Sequence, residues 1–75
     1  MESKRERFKR IAENRTNKIL NMIELLGNCS NKSNYDYTED DVREIFSAIE
    51  NSVKLNKMKF IEKQEKGKFK LRERK

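Results

Sequence analysis

Two stretches of the chain repeat apolar residues at the steps of a helical face. Between Ser3 and Leu26, the residues Phe8, Ile11, Ala12, Ile19, Met22, Ile23 and Leu26 recur at three- and four-residue intervals. That is the period at which side chains line one side of an α-helix. Arg15 falls inside the stripe. Its aliphatic stem can cover apolar neighbours while the guanidinium reaches solvent or a carboxylate. The chain has no proline, so nothing forces a kink. Gly27 directly follows Leu25 and Leu26, where a left-handed glycine is expected to end the helix.

A second helix announces its start clearly. Thr38 is a good N-cap, and Asp41 three residues on completes an approximate capping box. Glu39, Asp40 and Asp41 fall in the first turn, where the helix dipole favours negative charge. Tyr37 and Val42 have the spacing of a hydrophobic staple. The stripe continues through Val42, Ile45, Phe46, Ile49, Val53, Leu55 or Asn56, and Phe60. Gly67 is the expected stop.

The organisation that follows is one all-α domain over 1–75. Helix 1 covers about 3–26, a loop 27–38, helix 2 about 39–66, and a basic tail 67–75. The loop is rich in Asn and Ser, whose side chains bond nearby backbone groups in turns. It is expected to be ordered, with Tyr35 and Tyr37 folding back over the end of the core. A short connection favours antiparallel neighbours, so the expected fold is a two-helix antiparallel hairpin.

Size changes this picture. A chain of 75 residues is marginal as a monomer and usually needs a staple. Cys29 is the single cysteine and there is no histidine, which excludes an internal disulfide and leaves a zinc site without ligands. Self-association remains, so the hairpin is expected to form a homodimer with four helices. One thiol and the lack of a signal-like apolar run point to the cytoplasm. No run approaches the roughly 20 apolar residues of a membrane span. The Asn-x-Ser/Thr matches at Asn14, Asn28 and Asn31 read as accidents of an Asn-rich chain.

Charge is the most informative functional feature. Charged residues make up 43% of the chain and the net charge is +6. Residues 1–10 carry +3, residues 11–53 carry −4, and residues 54–75 carry +7. An antiparallel hairpin would gather both basic segments at one pole, where they repel and where a polyanion would relieve the repulsion. Lys4, Arg5, Arg7, Arg10, Lys63, Lys66, Lys68, Lys70 and Arg72 are the candidate phosphate contacts. Phe8, Phe60 and Phe69 lie among them; they stack on bases in one reading and close the core in the plainer one. A merely solvated face is the plain reading of the cations.

Other chemistry finds little support. The acids Asp36, Glu39, Asp40 and Asp41 lack the spacing of a calcium loop, and helix capping explains them better. Cys29 has no histidine to activate it. No phosphate loop, nucleophile elbow or acid–base pair is visible, and the core is too thin for a sizeable ligand cavity. No enzymatic activity, cofactor, metal or small-molecule substrate is expected.

The strings Arg15-Thr16-Asn17-Lys18-Ile19-Leu20, Leu25 to Thr38, Asp41-Val42 and Ile45 to Glu50 carry a resemblance. The chain resembles small, largely uncharacterised bacterial proteins often carried on mobile elements such as conjugative transposons and prophages. The resemblance covers roughly residues 8–60, and Leu26 to Tyr37 is its most specific part. It brings no catalytic activity and no established site, but it implies a DNA-associated accessory role. The alternative expectation is a protein-interaction module. It would dock a protein encoded nearby through Tyr35 and Tyr37 or through the face of helix 2.

Overall fold

The computed structural model describes the backbone of residues 1–68 and the side chains of residues 1–61. Among the described residues the chain is all-helical, with no strand. The order is α1 (Lys4–Gly27), a 3-10 turn (Asn28–Ser30) and α2 (Glu39–Lys68). Two compact units result, Met1–Asp36 and Tyr37–Lys75, with one helix in each.

Ser3 starts α1. Its backbone is extended, with φ −79° and ψ 169°. Its hydroxyl accepts from the Glu6 amide at 3.0 Å, while its own amide donates to Glu6 Oε1 at 3.0 Å. This is a complete capping box, and it satisfies two amides that a helix start otherwise leaves open.

The end of α1 differs from the expectation. Gly27 has φ −59° and ψ −30°, in the right-handed region, not the left-handed one. The reason lies in how the terminal carbonyls are satisfied. The Asn28 amide lies against the carbonyls of Glu24, Leu25 and Leu26, and the chain tightens into a 3-10 turn. No left-handed residue is then needed. Asn31, with φ −71° and ψ 104°, ends the turn.

Asn31 also orders the rest of the connection. Its side-chain oxygen accepts from the Ser33 amide at 2.9 Å. Its carbonyl accepts from the amides of Asn34 and Tyr35 at 3.1 and 3.0 Å. These local bonds offer the backbone an alternative to helix, so the segment is a built turn.

The start of α2 follows the expected chemistry. The Thr38 amide donates to Asp41 Oδ2 at 2.9 Å, and the Asp41 amide donates to Thr38 Oγ1 at 3.1 Å. Aspartate thus fills the place that glutamate takes in α1. Arg43 pairs with Asp40 one turn back, the helical neighbour spacing. Helix α2 continues through Gly67 to Lys68, past the stop expected at that glycine. Residues 69–75 lie outside the described residues.

In each unit taken by itself, the helix has no second helix to cover its stripe. Among the described residues no side chain is buried; Ile11, Ala12, Leu26, Tyr37 and Ile49 are half-buried. Phe8 is 50% exposed and Phe60 is 67% exposed. The reason is geometric: one amphipathic helix has a face but no interior.

Candidate nucleic-acid interface

The first two turns of α1 present Lys4, Arg5, Arg7, Lys9 and Arg10, all exposed. The capping box fixes where this helix begins, and so fixes the spacing of the cations.

Arg10 stands apart from the others. Its Nε and Nη2 donate to Glu2 Oε2 and Oε1 at 2.8 and 2.9 Å, a two-point carboxylate pair. The bonds from Arg10 hold the Glu2 carboxyl below the ordinary glutamate range. The same bonds raise the Arg10 guanidinium above its own ordinary value. Arg10 is therefore already committed, whereas Lys4, Arg5 and Arg7 have no ion pair among the described residues.

In the second unit, Lys54, Lys57 and Lys59 are exposed on α2. Lys63, Lys66 and Lys68 continue along the same helix, with their side chains outside the described residues. Lys70 and Arg72, like Phe69, lie wholly outside them. The other candidate surface is Tyr35 and Tyr37. Tyr35 is 51% exposed, held at the end of the Asn31 turn. Tyr37 is half-buried next to the Thr38 cap.

The remaining candidates are structural. Asp41 caps α2 and Asp40 pairs with Arg43. Cys29 is an exposed free thiol whose sulfur lies 4.0 Å from the Leu25 carbonyl. Among the described residues no helix is long and apolar enough to cross a membrane.

Two features of the site escaped the sequence reading. Ser3-Lys4-Arg5-Glu6 spells the capping-box pattern, so that signal was present. The pairing of Glu2 with Arg10 spans eight positions across a helix start, a spacing no helical rule anticipates. Compared with protein-family models, with curated proteins and with solved structures, the chain matches none.

Proposed function

We propose that this is a non-enzymatic, cytoplasmic, DNA-associated accessory or regulatory protein that contacts phosphates through its basic segments. The observation carrying this reading is the cation distribution. Lys4, Arg5, Arg7 and Lys9 crowd two exposed helical turns, and residues 54–75 carry +7. Such groups neutralise phosphates and release counterions without reading bases. The resemblance to proteins of mobile elements agrees with this role. The architecture that goes with it packs an α1 stripe antiparallel on an α2 stripe, the hairpin arrangement, and a second copy completes four helices. The two basic segments then form one pole.

Fluorescence anisotropy with labelled duplex and single-stranded DNA tests the reading. About six phosphate contacts weaken binding on the order of a thousandfold between about 50 and 200 mM salt. Absence of binding at low salt to either form removes the proposal.

A second reading rests on Tyr35, an exposed aromatic on an ordered turn. There the turn, with Tyr37, docks a protein encoded nearby. A pull-down separates the two. Replacing Lys63, Lys66, Lys68 and Lys70 leaves capture intact under this reading, while Tyr35→Ala or Tyr37→Ala abolishes it.

A further inference from the structure

Three asparagines share one side of α1. Arg7, Arg10, Asn14, Asn17 and Asn21 advance by three, four, three and four residues, so they lie in one row along the helix. Lys18, four residues past Asn14, flanks the row. The acids Glu6, Glu13 and Glu24 form a separate row, spaced by seven and eleven residues. Around the helix the order is acids, amides, cations and then the apolar stripe. No acid interrupts the amide row.

Asparagine is a poor helix former because its side chain competes for nearby backbone groups. Elsewhere in this chain it bonds locally. Asn56 donates to the Ser52 carbonyl at 2.8 Å, and Asn31 accepts from the Ser33 amide at 2.9 Å. Asn14, Asn17 and Asn21 are exposed and make no side-chain hydrogen bond among the described residues. Each presents a free carbonyl oxygen and a free amide nitrogen. Arg7 and Lys18 beside them are exposed and have no ion pair among the described residues.

A donor and an acceptor on one short planar group match a base edge. In the major groove adenine shows the N7 acceptor beside the N6 amino donor, and one asparagine pairs with both. The groove is wide enough to admit an α-helix. From Asn14 to Asn21 is about 10 Å along the helix, the rise of about three base pairs. Charge fits the same placement. Arg7 and Lys18 edge the row on the side that would meet phosphate, while Glu13 and Glu24 on the other side would be repelled, which sets the tilt of the helix.

We propose that α1 lies in the major groove of duplex DNA and reads adenine-containing sequence through Asn14, Asn17 and Asn21, with Arg7 and Lys18 on the flanking phosphates. This rests on the DNA-associated reading above and adds sequence selection to it. It draws on residues of α1 alone.

Selection from a duplex pool tests it. The full chain is incubated at low salt with duplex DNA carrying a randomised central segment, and the bound molecules are sequenced. An adenine-containing motif should be enriched. By anisotropy the enriched duplex should bind at least about tenfold more tightly than a scrambled one, the scale of one bidentate base contact. Replacing the motif's adenines by 7-deazaadenine, which lacks the N7 acceptor, should abolish this preference. Asn14→Ala/Asn17→Ala/Asn21→Ala should abolish it too, with affinity for scrambled DNA and the salt slope unchanged. Alanine favours helix at all three positions, and circular dichroism checks that the helix persists. Binding without enrichment, enrichment of a motif without adenine, or a preference kept by the alanine variant overturns the inference and leaves phosphate contact standing. No binding to any duplex at low salt removes both.

Discussion

Glu2 and Arg10 join head to head across the start of α1, through contacts of 2.8 and 2.9 Å. One acid thereby withdraws one cation from the basic surface. Glu2→Gln should release Arg10 and remove a negative charge, and DNA affinity at low salt should rise severalfold. An unchanged anisotropy curve would show that Arg10 does not face the polyanion.

The same pair sets a pH dependence. Glu2 is depressed by its bonds to Arg10, so the pair's contribution is present above the ordinary glutamate value. It is lost as pH falls through the depressed value. A carboxyl-detected NMR titration should place the Glu2 midpoint below that of a free glutamate, and Arg10→Ala should return it.

Gly27 offers a test of the helix end. Its φ of −59° is open to any L-residue, and a Cβ built there meets nothing within 4 Å. Gly27→Ala should therefore stabilise the protein by about 0.4–1 kcal/mol, chiefly by restricting the unfolded chain. A thermal melt followed by circular dichroism reads this. Destabilisation would indicate a left-handed glycine.

The caps are separable from the charge. Ser3→Ala and Thr38→Ala each remove the hydroxyl that accepts a helix amide. Each should cost roughly 0.5–2 kcal/mol in chemical denaturation, with net charge unchanged.

Sequence legibility followed the range of the interactions. Thr38, Asp41 and the acidic first turn of α2 were readable because a capping box acts over three residues. The stripes of Phe8 to Leu26 and Val42 to Phe60 were readable because helical period is local. Gly27 misled because glycine permits a left-handed end without requiring one, and the carbonyls of Glu24, Leu25 and Leu26 found the Asn28 amide instead. The cations were countable from composition. That Arg10 is committed and Arg7 is not depends on a rotamer choice at a helix start, which no pattern of residue types encodes.

Under the DNA-associated reading, the exposed cations of α1 contact phosphate. The direct measurement is the salt dependence of duplex-DNA affinity for the wild-type chain and for Lys4→Ala/Arg5→Ala/Arg7→Ala. If each cation meets a phosphate, the logarithmic slope should fall by about 1 per residue, roughly 3 in all. An unchanged slope and affinity in the triple variant would mean that Lys4, Arg5 and Arg7 meet no phosphate.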